Sequence, residues 1–184
     1  MKSRTGFSVL IVFLLGLGGI ARGASESHGA SLRGLTGVSV RVERLGEGAK
    51  QEGLDEAPIQ IAVEQKLKQA GIAVLTPAQL AQAPGSPVLY VFINAKRLFY
   101  PTGVTFDPAG RPYNDPPYVV MVTVSLLQDA VAARDPSLRL HEAKTWDAGY
   151  LRSFDPPALK QAAGIVGDLV DGFVADWKSA NPKK

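Results

Sequence analysis

VLYVFINAKRLF, Val88 to Phe99, and YVVMVTVSLLQDA, Tyr118 to Ala130, are dominated by β-branched and aromatic residues. Successive side chains of a strand point to opposite faces, so each stretch splits by parity. Leu89, Val91 and Ile93 form an aliphatic set in the first, and Val120, Val122 and Val124 do so in the second. The remaining positions, Tyr90, Phe92, Asn94, Val119, Met121 and Thr123, are mixed. These stretches are the two strongest strands of the chain, each with one face toward a core.

The elements on either side follow from the same patterning. Thr36, Val38, Val40 and Val42 alternate with Gly37, Ser39, Arg41 and Glu43, which predicts a strand with one buried and one wet face. Gly46 to Gly53 reads as a loop. Asp55 then caps a helix with Pro58 in its first turn, with Ile59, Val63, Leu67 and Ala70 on one face and Gly71 as its stop. Ile72 to Leu75 makes a second strand, parallel to the first, and Thr76-Pro77 opens a short helical turn. Beyond the strong pair, Asp135-Pro136-Ser137 predicts a turn, and LHEAKTWDAGYL returns as a strand in which Trp146 and Tyr150 share a side. Asp155 caps a last helix that begins at Pro156-Pro157. Leu159, Ala162, Ala163, Val166, Val170, Phe173 and Trp177 form its stripe.

That order predicts a two-layer α/β sandwich, an α+β arrangement with a mixed sheet of about five strands and two main helices on one face, in a single domain over 36–181. It resembles the small periplasmic domain at the N-terminus of TolB and in envelope proteins of the CsgG and PelC kind. The resemblance is one of element order and carries over no functional residue. The chain departs from the lipoprotein members in lacking a cysteine to carry the lipid.

Residues 1–23 have the layout of a cleaved signal peptide. Lys2 and Arg4 precede an apolar run from Phe7 to Ile20, and Ala21-Arg22-Gly23 offers small residues to a signal peptidase. The run is shorter than the roughly 20 residues that a membrane-spanning helix needs. The mature chain is then expected to begin near Ala24, with a flexible segment over 24–35, and to be periplasmic or secreted without a stable membrane anchor. The whole sequence has 20 basic and 17 acidic residues. Because Lys2, Arg4 and Arg22 belong to the leader, the mature chain is electrically balanced, which gives no support to a nucleic-acid partner. With no cysteine, disulfides and thiolate chemistry are excluded.

Catalytic and metal motifs are missing from the sequence. His141 would have to act as a lone base near Glu142 or Asp147, and no serine sits in a nucleophile turn. The pairs Asp168 with Asp171 and Asp107 with Asp115 read as solvated faces or turn caps rather than ion sites. Gly164 and Gly172 lie in the last helix away from its stripe, and read as tolerated glycines or as points of close approach. No catalytic residue, cofactor or metal is therefore expected.

Contact surfaces are the remaining signal. A face that collects Tyr90, Phe92 and Met121 needs cover from a partner, another copy or the chain's own loop. The connection YPTGVTFDPAGRPYNDPPY, Tyr100 to Tyr118, is rich in proline and aromatic rings, and its flanks Thr102 to Phe106 and Arg111 to Asn114 can pair as a small hairpin. Phe106, Arg111 and Tyr113 are its candidate contacts, because aromatic and arginine side chains dominate binding hot spots. The reading is a non-enzymatic cell-envelope domain that binds an envelope protein or itself. The alternatives are a binder of a small or polymeric ligand under the loop, and a hydrolase.

Overall fold

The structure, a computed structural model, describes residues 29–98, 110 and 116–182, together with the backbone of Thr105–Phe106 and Pro112–Tyr113. The elements run β1 (Gly37–Val42), α1 (Glu47–Gln51), α2 (Glu56–Ala70), β2 (Ala73–Val74), α3 (Pro77–Leu80), β3 (Val88–Arg97), β4 (Thr105–Phe106), β5 (Pro112–Tyr113), β6 (Tyr118–Ala132), β7 (Asp135–Phe154), a 3-10 turn (Pro156–Gln161) and α4 (Ala162–Ala180). β2, β1, β3, β6 and β7 form one five-stranded sheet in that order. β1 pairs in parallel with β2 and β3, and the two remaining junctions are antiparallel. This is the mixed-sheet α/β sandwich that the element order predicts.

Local chemistry explains the helix limits. The Asp55 carboxylate accepts from the Ala57 amide at 3.0 Å, and Gly71 closes α2 in the left-handed region at φ 86°, where a side chain would be strained. Ile59, Val63 and Leu67 of α2 and Val166, Val170 and Phe173 of α4 then cover Val38, Leu89, Val91, Val120, Val122 and Val124 in one continuous core. Each such side chain contributes about 1.5–3 kcal/mol when fully buried. Both helices lie on the face that the aliphatic parity set defines.

Four local readings need correction. The loop expected over Gly46 to Gly53 contains α1. The hairpin turn falls at Ala133-Arg134 rather than Asp135-Pro136-Ser137, because the Asp135 carboxylate bonds the Ser137 amide and hydroxyl within β7 and the ladder continues to Ala132 opposite Asp135. Asp155 caps with its backbone rather than its side chain: its carbonyl accepts from the Ala158 amide at 2.9 Å, giving the i to i+3 bond of a 3-10 turn ahead of α4. The described part of the segment expected to be flexible is packed. Leu32 is fully buried, and Asn181 and Trp177 bond the backbone of residues 32–35. Residues 1–23 lie outside the described residues.

β3 and β6 are adjacent and antiparallel, so the connection between them starts and ends at the same end of the sheet. Within it Thr105 pairs with Tyr113 and Phe106 with Pro112, in the segments expected to form a hairpin.

Candidate functional site

Register fixes what each face carries. On the side away from the helices, rows run across β3, β6 and β7: Tyr90, Ser125 and Asp147; Phe92, Thr123 and Gly149; Asn94, Met121 and Leu151; Lys96, Val119 and Ser153. The rows pass from polar at Tyr90 to most apolar at Met121 and Leu151, and turn polar again at Lys96 and Ser153. Phe92 and Val119 are half-buried, Met121 is 39% exposed, and Leu151 is 67% exposed.

The polar end of this face is occupied by the chain itself. The Arg41 guanidinium stacks on the Tyr90 ring, 5.1 Å from its centroid, and bonds Glu142 at 2.9 Å. β1 is separated from β7 by β3 and β6, so this ion pair crosses above them. Glu142 comes within reach because β6 and β7 are bulged past Leu126 and Glu142 itself has a positive φ of 51°. The hydrogen bond from Arg41, followed by its charge, holds the Glu142 carboxyl below the usual range, and the same bond raises Arg41. The Tyr90 hydroxyl donates to Glu43, which pushes the phenol upward. Ser125 is buried beside them. Tyr90, a candidate contact on sequence grounds, is thus held by Arg41 and Glu43.

The apolar residues reach the edge strand. Among the described residues β7 bonds only β6 in the sheet. From Asp147 to Ser153 it pairs with Val119 to Ser125 without a register shift, and the bulges are confined to positions past Leu126. On the helix side of this same stretch, Trp146 and Tyr150 share a face and have opposite fates. Trp146 is 3% exposed, edge-on to Phe173 with centroids 5.1 Å apart, and donates its indole N–H to Asp176 at 2.9 Å. Tyr150, nearer the end of the strand, is 49% exposed. With Arg152, Ile165, Asp168 and Leu169 it lines an open cavity of about 220 Å³. Exposed apolar side chains therefore stand on both faces of one unpaired strand edge.

Other sequence candidates are dispersed. His141 is exposed, with Nδ1 3.0 Å from Asp129 on the outer part of the β6–β7 ribbon. Asp171 pairs with Lys66 of α2, whereas Asp168 faces the Tyr150 cavity, so the two carboxylates serve different neighbours. Among the described residues no group of three or more His, Asp or Glu is placed to hold a metal ion. A methyl group at Gly164 or Gly172 would meet nothing within 4 Å, so neither marks a close approach. Phe106 and Tyr113 are described by backbone only, and Arg111 lies outside the described residues. Two further cavities exist. One of about 310 Å³ adjoins Ser31, Thr36 and Gln128, and an apolar one of about 110 Å³ lies between α2 and α4.

Leu151 is the residue that sequence reading passed over. The signal was present: once Trp146 is assigned inward, strict alternation puts Leu151 outward, two positions past Gly149. What hid it was the unassigned facing of Trp146. Among the described residues no helix is long and apolar enough to cross a membrane.

No protein-family model and no curated protein matches this chain. A crystal structure of a minor lipoprotein from Acinetobacter baumannii is similar to it at 9% identity, covering 79% of this chain and 93% of that one, with a TM-score of 0.30. A likeness of that size carries no argument about function.

Proposed function

We propose that this is an exported, non-catalytic domain of the cell envelope that binds protein by accepting a polypeptide strand along β7. One observation carries the reading: the regular stretch Asp147–Ser153 has a free backbone edge with exposed apolar residues on both of its faces, Leu151 on one and Tyr150 on the other. Tyr150 and Leu151 give this edge apolar area on both faces, between the charged residues Asp147 and Arg152. Soluble proteins normally blunt such edges with bulges, proline, inward charge or brevity. An added strand satisfies the edge through main-chain hydrogen bonds and takes specificity from alternate side chains. Export rests on the pattern of residues 1–23.

A photo-crosslinking residue placed at Leu151 in living cells tests the binding. Adduct bands of defined mass are expected at Leu151 and not at Ile61, an exposed residue of α2. No adduct at Leu151, or equal adducts at both, overturns it. Mass analysis of the envelope-extracted chain checks export. An N-terminus near Ala24 is expected, and an intact Met1 refutes it.

A further inference from the structure

Resting on that protein-binding reading, we infer that the strand accepted by β7 is β7 of a second copy, paired antiparallel about a two-fold axis at Leu151 so that the two sheets become one. An edge strand meeting its own copy is self-complementary, which is the requirement of a closed two-fold interface. The register can then be worked out from residue chemistry. Residues directly opposite in an antiparallel pair lie on the same face, so two copies of one strand meet only in registers centred on a residue.

Centring on Asp147 or on Arg152 sets like charges against each other. Centring on Ala148 sets Lys144 against Arg152. Centring on Gly149 sends Arg152 onto Trp146, which is already buried against Phe173. Centring on Ser153 sets Leu151 against Asp155, a carboxylate beyond the end of the strand. Two centres remain, Tyr150 and Leu151.

The Leu151 centre uses what is exposed, and the one like-charge pair that it creates, Asp147 with Asp155, falls past Phe154 where the strand has ended. Leu151 meets Leu151 of the copy on the open face, next to Met121 in the same row, so the most exposed large apolar side chain among the described residues meets its own twin. On the helix face, Tyr150 of each copy lies opposite Arg152 of the other, giving two symmetric cation–π contacts. Each chain's own Arg152 lines the cavity with Tyr150 and Asp168 and rests 5.3 Å from the Phe154 centroid, so the contact across the axis requires it to turn from Phe154 to the Tyr150 of the copy. The Tyr150 centre instead sets Arg152 against Ala148 and Leu151 against Gly149, leaving both Arg152 and Leu151 without these partners. The bulged outer half of β7 takes no part, since its register is broken.

The cysteine-free sequence makes the test direct. Leu151→Cys, Tyr150→Cys and Met121→Cys are each placed in the full exported chain, and circular dichroism checks the fold of each. Each is then oxidised with copper phenanthroline. Opposite residues have Cβ atoms about 4.5–5.5 Å apart, whereas Met121 of one copy is separated from its twin by three strand spacings of about 4.8 Å. Leu151→Cys should form a covalent dimer at least tenfold faster than the other two. Leu151→Lys, which opposes two ammonium groups across the axis, should weaken the dimer at least tenfold by sedimentation equilibrium.

Fastest crosslinking at Tyr150→Cys or Met121→Cys, no crosslinking at Leu151→Cys, or a monomeric parent chain overturns the inference. If cellular adducts at Leu151 then carry a different protein, strand binding stands while self-pairing falls. If no adduct forms at Leu151 in cells, strand binding itself has failed.

Discussion

The two edges of the sheet are built in opposite ways. β2 spans only Ala73–Val74 and pairs with Gly37 and Val38 of β1, and the chain leaves it at once through Thr76, whose side chain and Gln79 cap α3 reciprocally. β7 runs from Asp135 to Phe154 and is regular where its side chains are most apolar. Exposed backbone edges invite pairing, and brevity is one of the usual protections. One edge is therefore closed by its shortness, while the other is regular over Asp147–Ser153 and exposes Tyr150 and Leu151. A fold that can blunt an edge and leaves its neighbour open points to the open one as the place of contact.

The largest test of this contrast concerns what holds β7 from inside. Trp146 rests edge-on against Phe173, so the strand is anchored through its helix face and its free edge contributes little to folding. Phe173→Ala should cost about 3–5 kcal/mol in denaturant unfolding. A loss below about 1 kcal/mol, near the scale of a surface change, would mean that β7 is held by other contacts.

The closed edge gives an intermediate effect. A methyl group on Gly37 would lie 2.7 Å from the Ala73 carbonyl oxygen, a backbone atom that cannot swing aside. Gly37→Ala should therefore destabilise by about 1–3 kcal/mol. In β7 the corresponding change, Gly149→Ala, meets the Thr123 methyl at 3.1 Å, a side-chain atom that can rotate. Its cost should be smaller, and chemical melts that rank the pair in reverse would break the contrast.

The smallest effect is one of pH. The Leu45 amide, followed by Lys50, bonds the Glu56 carboxylate at the start of α2 and holds its pKa at about 2, against an ordinary 4.5. Because the folded pKa is the lower one, this contribution is fully present above pH 4.5 and is lost as pH falls through about 2. Glu56→Gln should flatten the corresponding part of the stability profile, measured by denaturant midpoint across that window. An unchanged slope would show that other carboxylates set it.

Much of the fold was legible because period and punctuation agreed. Asp55 and Gly71 bracket α2 with the residue types that its two ends require, and the parity of Leu89, Val91 and Ile93 selects the helix face without knowledge of register. The candidate site was only half legible. Phe92 and Met121 follow from parity, whereas the withdrawal of Tyr90 depends on Arg41 meeting Glu142 from the far side of the sheet. That meeting requires bulges, and a bulge is set by how two strands fit, which one strand's sequence does not carry. The turn at Ala133-Arg134 was missed for a related reason: Asp135 and Ser137 satisfy a local bond equally well in a turn or inside a bulged strand.

Asn181 gives the molecule a seam between residues 32–35 and the last turn of α4. Its side chain accepts from the Gly34 amide at 2.7 Å and donates to the Leu32 and Trp177 carbonyls, while the Trp177 indole donates to the Leu35 carbonyl. These bonds exist only in the folded state, so unlike a covalent bridge they leave the unfolded ensemble unrestricted. The stretch 32–35 and the last turn of α4 cannot release their shared donors independently. They form one unit of local opening, and in amide hydrogen exchange these two stretches should lose protection together, ahead of the central strands.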